Sequence, residues 1–364
     1  GMYQQVYDTK CKFYKDVDGS TVAAATVQSN PNLYTTGPRV SCLVSPSPTD
    51  EELRLICQMG VTHVFSWVNA ENANLQFLKQ LKQKTEDYGL VLYNVGCREL
   101  GKSPDVILGT EKRDSVLDQF QKFLEDLSAI GVFTTTFTWE PDGVWTTSTA
   151  TTRGGASARA VDASLLPTDP PGGRRAYEDE ELWDNIRYFL SRMLPVCART
   201  SVRLALHPND PPVKAIAGVP CLIRNAAAYE RVFQVGREVA PQDCQQFLGM
   251  EFCCGCWLEG GAHGFGPLLH WLHKFATEGR VFIVHLRNVS SPLPVFAETF
   301  IDGGYGHVTS ILRVLVDAGY GGTVILDHTP QFTDCAGPAA ASCFSIGYIK
   351  GCLAACIRKE AKRE

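Results

Sequence analysis

The 364-residue sequence predicts an α/β protein, a closed (β/α)8 barrel with an N-terminal extension and one long loop after the fourth strand. Three observations carry that prediction. From Val40 onward, short β-prone runs alternate with amphipathic stretches. There are eight of each. No Gly-rich phosphate loop follows the first run, as the nucleotide sites of an open doubly wound sheet would require.

The expected strands are VSCLVS (40–45), THVFSWV (62–68), LVLYNVG (90–96), VFTTTFTW (132–139), VRLALHP (202–208), QFLGMEFC (246–253), VFIVHLRN (281–288) and TVILDH (323–328). The first helical stretch, DEELRLICQMG, offers Asp50 as its cap. NLQFLKQLKQKTEDYG and RDSVLDQFQKFLEDLSAIG place apolar residues at i, i+3, i+4 and i+7 and stop at Gly89 and Gly131. DEELWDNIRYFLSRMLPVC, AAYERVFQVGREV, FGPLLHWLHKFATEG, VTSILRVLVDAGY and CFSIGYIKGCLAAC continue the series.

Residues 1–38 stand apart as an extension, leaving 39–364 as the barrel domain. In the extension, Asp18-Gly19 between β-prone runs predicts a hairpin packed on the barrel. Residues 140–178 are rich in Gly, Pro, Thr and Arg and leave from the C-terminal face, where barrel sites are built; they predict a lid.

The formal charge is −5 and no Lys or Arg run occurs, which argues against a nucleic-acid partner. No apolar stretch is expected to reach the roughly 18–20 residues of a membrane span. The first residues lack a basic-then-apolar signal pattern. A cytoplasmic location follows, where the 14 cysteines stay reduced and form no disulfide framework. Barrels of this kind commonly pair, so a homodimer is admitted, although the sequence carries no interface signal.

Chemistry concentrates at the ends of the last four strands. His207 ends the fifth, Cys253 the sixth, His285 lies near the end of the seventh, and Asp327-His328 closes the eighth. A barrel brings these ends to one rim. Nitrogen, sulfur, nitrogen and oxygen donors suit Mn, Fe(II), Co or Zn better than Mg or Ca. Within MEFCCGC (250–256) there is no partner pair for a zinc knuckle or an iron–sulfur cluster. Strand alternation puts Glu251 and Cys253 on one face. With that face inward, Cys253 is the ligand, Cys254 belongs to the outer core and Cys256 to a loop. Arg203, inward beneath His207, is expected to neutralise Glu251. Asn209 and Asp210 are placed to hold substrate hydroxyls or to orient His207.

LALHPNDPP (204–212), GMEFCCG (249–255), VHLRNV (284–289), FAETFIDGGYGHV (296–308) and ILDHTP (325–330), in that order, resemble successive motifs of the mannonate dehydratase family, in the xylose-isomerase-like TIM barrel superfamily. Upstream, LGTEKRDSVLDQFQKFLEDLSAIGV and GVWTTSTATTRGGASARAVD are similar to that family's third helix and following loop. The resemblance implies metal ligation by His207, Cys253, His285 and Asp327, and proton transfer by His328. It also implies substrate contact by Arg287 and Asn288, with the planar fork of Arg287 suited to a carboxylate. The implied activity is a hydro-lyase of carbohydrate metabolism, specifically hexuronate catabolism. It removes water from D-mannonate to give 2-keto-3-deoxy-D-gluconate, with Mn2+ or Fe2+ as cofactor and Co2+ or Zn2+ as alternatives. Arg153 and Arg159 of the long loop are placed to close over such an anionic sugar acid. The chain departs from the family pattern at His307-Val308, where Asp-Met is usual, and at Ile325-Leu326. It also lacks a tyrosine within 337–342. Two other readings stay open: a metal-dependent sugar isomerase or epimerase, and a catalytically inactive metal-binding barrel.

Overall fold

A computed structural model describes residues 37–333, 336–337 and 339–360; the hairpin expected at Asp18-Gly19 lies outside them. In chain order the first seven strands are β1 (Arg39–Leu43), β2 (His63–Val68), β3 (Val91–Cys97), β4 (Thr134–Thr138), β5 (Ser148–Thr151), β6 (Ser157–Asp162) and β7 (Arg203–His207). The remaining seven are β8 (Ala215–Ile216), β9 (Val219–Pro220), β10 (Leu248–Cys253), β11 (Val281–Leu286), β12 (Asn288–Val289), β13 (Val295–Thr299) and β14 (Thr323–Leu326).

Eight of these form one sheet in the order β3-β2-β1-β14-β11-β10-β7-β4, with all seven neighbour pairings parallel. They are the eight strands expected from the sequence. The two outer members meet where Thr135 Oγ1 donates to the Val95 carbonyl at 2.7 Å, so the sheet curls almost shut. Parallel strands covered on both faces are buried along their length and mostly apolar. Accordingly, all six residues of β10 and all six of β11 are buried.

Three local details differ from expectation. The first helix, Asp50–Gln58, is capped by Thr49, whose hydroxyl accepts from the Glu52 amide at 3.1 Å. Asp50 instead lies in the first turn, where its charge complements the helix dipole. After β10 the chain goes directly into a helix, Cys254–Gly264, before a second one, Leu268–Thr277. Cys256 is therefore helical and buried, not part of a loop. The cause is local: Cys253 is itself the N-cap, its sulfur accepting from the Cys256 amide.

The third is the long connection after β4, expected as a lid, in which the sequence pattern predicts no strands. It is not irregular: β5 and β6 form an antiparallel hairpin whose turn uses Gly154 (φ 68°) and Gly155 (φ 82°). β6 then pairs with β13, giving a four-stranded sheet in the order β12-β13-β6-β5. This sheet carries Arg159 towards the barrel mouth, as its ion pairs show below. The C-terminal helix, Ala340–Glu360, buries Ile346, Ile349, Leu353 and Cys356 along one side. Contrary to expectation, its Ala340–Ile357 portion is long and apolar enough by composition to cross a membrane, with mean hydropathy 1.5 and a third of it buried.

Candidate active site

Parallel register brings the predicted donors together. Cys253 stands beside His285 across β10 and β11, and His285 stands beside Ile325, two residues before Asp327. Donor atoms of His207, Cys253 and His285 all lie within 4.8 Å of one another. Asp327 Oδ2 is 3.6 Å from Cys253 Sγ and 3.6 Å from His285 Nδ1. The His207 and His285 rings meet edge to face, 5.3 Å between centroids. His207 Nδ1 bonds to the Pro208 carbonyl at 2.7 Å, which leaves Nε2 for the cluster.

The electrostatics match a site prepared for a cation. Burial alone would push the Cys253 thiol up. The bond from Cys256, the Arg287 guanidinium and the two histidines together hold it well below its ordinary value, which favours the thiolate. Burial would likewise lower both histidines, but the facing anions win. Cys253 and Glu140 take His207 up to about 10, and Glu251 with Asp327 takes His285 well above its usual range. Neither ring nitrogen of His285 finds a hydrogen bond of good geometry, although Nε2 lies 2.6 Å from Glu251 Oε1. A thiolate, a carboxylate and two proton-loaded histidines are donors that a divalent transition metal would gather in place of those protons. The residues fit the metal that their types suggest.

Glu251 is buried and inward, but its partner is His285 and not Arg203. Arg203 spends its fork on the Tyr93 and Thr134 hydroxyls and stacks on Phe282, 4.7 Å from the ring centroid. Glu251 therefore lies in direct contact with the donor cluster, closer to it than the sequence alone suggested.

Arg287 is also placed differently from expectation. It is 1% exposed, and its guanidinium meets four carboxylates: Asp210, Glu259, Glu298 and Asp327. All of its nitrogens are committed, so it has no fork left for a substrate carboxylate. Arg159, from β6, binds three of the same acids, Asp210, Glu259 and Glu298. Arg153 pairs with Asp302 instead. Asp210, Cys256 and Glu259 form a second cluster of possible donors, but Arg287 reaches all three and supplies the positive charge a metal would bring. Asn288 is a scaffold residue, its amide donating to the Ile301 and Gly306 carbonyls. Asn209 ties Trp139 to the Ile223 amide. Both lie behind the site because their side chains complete loop backbone bonds. Of the four expected substrate contacts, Asp210 alone lines the cavity described next.

Gly255 makes room for this network. A Cβ there would lie 2.5 Å from both Cζ and Nε of Arg287. Gly255→Ala is expected to displace the guanidinium and destabilise the fold by about 1–3 kcal/mol, the usual cost of overpacking. Urea denaturation against wild type checks this; equal midpoints would contradict it.

A cavity of about 480 Å3 opens over the cluster. His207, His285, Asp327 and His328 line one side; Trp67, Arg98 and Lys102 line another. His328 is half-exposed there, its Nδ1 2.9 Å from Glu298 Oε1 and its Nε2 3.4 Å from Asp327 Oδ1. Asp327, more than Glu298, raises it to about 9. Among the described residues no tyrosine lines the cavity, in keeping with its absence from 337–342. Sequence reasoning missed Glu140, Glu259, Glu298, Arg98 and Lys102. Glu298 sits inside a quoted motif and was within reach; the others lie on segments whose direction only the fold fixes.

Comparison with known proteins adds an independent line. The family model for D-mannonate dehydratase (UxuA) matches residues 174–363. Mannonate dehydratase 2 of Halalkalibacterium halodurans is 26% identical over 276 residues, 68% of this chain and 76% of that protein. A mannonate dehydratase of Streptococcus suis is 24% identical over 313 residues, 77% of this chain and 81% of the relative. The crystal structure of mannonate dehydratase from Streptococcus suis serotype 2 superposes with TM-score 0.77 at 21% identity, covering 90% of this chain and 95% of that one. A 3-keto-D-glucoside 4-epimerase from E. coli shares the barrel at TM-score 0.59 and 15% identity, over 86% of this chain and 100% of the other.

Proposed function

This chain belongs to the mannonate dehydratase family, and from that premise we propose that it removes water from D-mannonate to give 2-keto-3-deoxy-D-gluconate. The observation that carries the reading is the convergence of His207, Cys253, His285 and Asp327 beneath a cavity large enough for a sugar acid. A divalent transition metal held by these four, Mn2+ or Fe2+ in our reading, would supply Lewis-acid polarisation next to the substrate carboxylate.

The chain's own residues do the rest. Dehydration takes a proton from C2 and returns one to the departing C3 hydroxyl, so the site needs a group that can hold and move a proton. His328 is that group: it lines the cavity, and the Glu298 bond at Nδ1 fixes its ring. Glu298 is steadied in turn by Arg159 and Arg287, so the ring orientation rests on a buried ion network. Cys253 contributes fixed negative charge without exposing its sulfur to solvent. The hairpin of β5 and β6 closes the side of the mouth through Arg159, keeping water off the network.

The test is product formation from D-mannonate by anaerobically reconstituted Mn2+ protein, read as the 2-keto-3-deoxy acid. His328→Asn is expected to lower kcat by about 10²–10⁴-fold, the range for a positioned acid or base, with metal content unchanged. A variant that matches wild type would remove His328 from the chemistry. A wild type that loads metal but turns over no sugar acid would overturn the dehydratase reading.

A further inference from the structure

Among the described residues, two cations on the cavity wall have no acidic partner. Arg98 and Lys102 follow β3 on and just after the short helix Arg98–Gly101, across the barrel order from β10 and β11. Both line the same cavity as His207, His285 and Asp327. Both sit over one ring: the Lys102 ammonium is 4.8 Å and the Arg98 guanidinium carbon 5.6 Å from the Trp67 centroid. The ring is held in place by a missing side chain, since a Cβ on Gly96 would fall 2.3 Å from Trp67 Cζ3. Among the described residues, no carboxylate forms an ion pair with either cation. The contrast with Arg159 and Arg287 is sharp, because those two share three acids and Arg287 meets a fourth. Of the other wall carboxylates, Glu251 pairs with His285, and Glu52 is turned to Ser45, whose amide and hydroxyl each bond one of its oxygens at 2.7 Å.

We propose that Arg98 and Lys102, braced on Trp67, form a second anion anchor that selects sugar acids bearing a negative group at the end remote from the C1 carboxylate. The inference rests on the dehydratase reading for which end lies at the donor cluster. That cluster takes the carboxylate next to the proton that is removed, leaving the far end of a six-carbon chain to reach the β3 side. An uncharged terminal hydroxymethyl would leave both cations without a counterion. A terminal carboxylate or phosphate would accept from the guanidinium fork and the ammonium together. The cavity volume lies within the roughly 300–1,000 Å3 of small-molecule sites and accommodates either group. The dehydration itself is unaltered, with the C2–H and C3–O bonds broken and one water released.

The experiment measures dissociation constants by calorimetry, and KM and kcat, on Mn2+-loaded protein with three acids: D-mannonate, D-mannarate and 6-phospho-D-mannonate. Wild type is expected to bind one of the two terminal anions at least about tenfold more tightly than D-mannonate, in line with charge-assisted bonds. Whichever acid binds better separates carboxylate from phosphate. In Arg98→Gln/Lys102→Gln that advantage disappears, and KM for the favoured acid rises by at least the same factor. Should the double variant fail to fold, Lys102→Gln alone is expected to remove part of the advantage. Equal or tighter binding of D-mannonate by wild type overturns the anchor, as does an advantage that survives in the variants. A binding preference without turnover on any acid would keep the anchor and remove the dehydratase reading. Turnover of D-mannonate without a preference would do the reverse.

Discussion

Arg287→Met is expected to destabilise the protein by about 3–5 kcal/mol, the cost of removing one partner from a buried ion network. The volume of the side chain is nearly conserved, so packing is not the main loss. The loss is electrostatic: Asp210, Glu298 and Asp327 would lose a shared cation and Glu259 its donor, with Arg159 left on three of the four acids and the histidines His285 and His328 on Asp327 and Glu298. Glu259→Gln serves as the control. Burial, then Asp210, pushes Glu259 up to about 8, so at pH 7 it is already largely protonated and an amide replaces it at little cost. Its folded-state value lies above that of an unfolded glutamate. Its contribution is therefore fully present below about pH 4.5 and is lost as pH rises through about 8. Wild type should lose stability over that window more steeply than Glu259→Gln. Urea titrations of the three proteins between pH 5 and 8.5 read both effects. Equal stability of wild type and Arg287→Met at pH 7 would show that the network is not what holds the mouth of the barrel together.

That network marks the boundary of what sequence can reveal here. Strand positions follow from apolar runs and alternation, both local properties, and all eight barrel strands form where those patterns predict. The donor set follows from topology, because equivalent positions on consecutive parallel strands meet at one rim. Partnerships do not follow in the same way. Arg203 and Glu251 lie on inward faces of neighbouring strands, yet their side chains run in different directions and find Tyr93 and His285 instead. The family resemblance and its planar fork make Arg287 look like a substrate contact, but acids from β13 and from the helix after β10 surround it first. Those acids are far away in sequence, and only the placement of the second sheet brings Glu298 and Arg159 to the same point. Cys256 shows the same limit on a shorter scale. A Gly-rich stretch predicts a loop, while the sulfur of Cys253 starts a helix there.

Cys253→Ser carries the largest expected effect on function. The sulfur's charge is set by its surroundings: the Cys256 amide at 3.5 Å, the Arg287 guanidinium at 3.7 Å and the two facing histidines. A serine hydroxyl of nearly the same size stays protonated in that environment, so the substitution removes a negative charge and a soft donor while leaving the helix cap geometrically possible. Metal affinity is expected to fall by more than the 10–100-fold typical of losing an outer-shell partner, and dehydration with it. Competition with a chelator, followed by metal analysis of the dialysed protein, separates affinity from turnover. Cys254→Ser, one residue on, tests the specificity of the effect. Burial pushes that thiol well above its ordinary value, so it is a neutral core residue whose loss costs stability without touching the metal. If Cys253→Ser held Mn2+ as tightly as wild type, the thiolate would be a bystander. Glu251, already 2.6 Å from His285, would then be the fourth donor beside His207, His285 and Asp327.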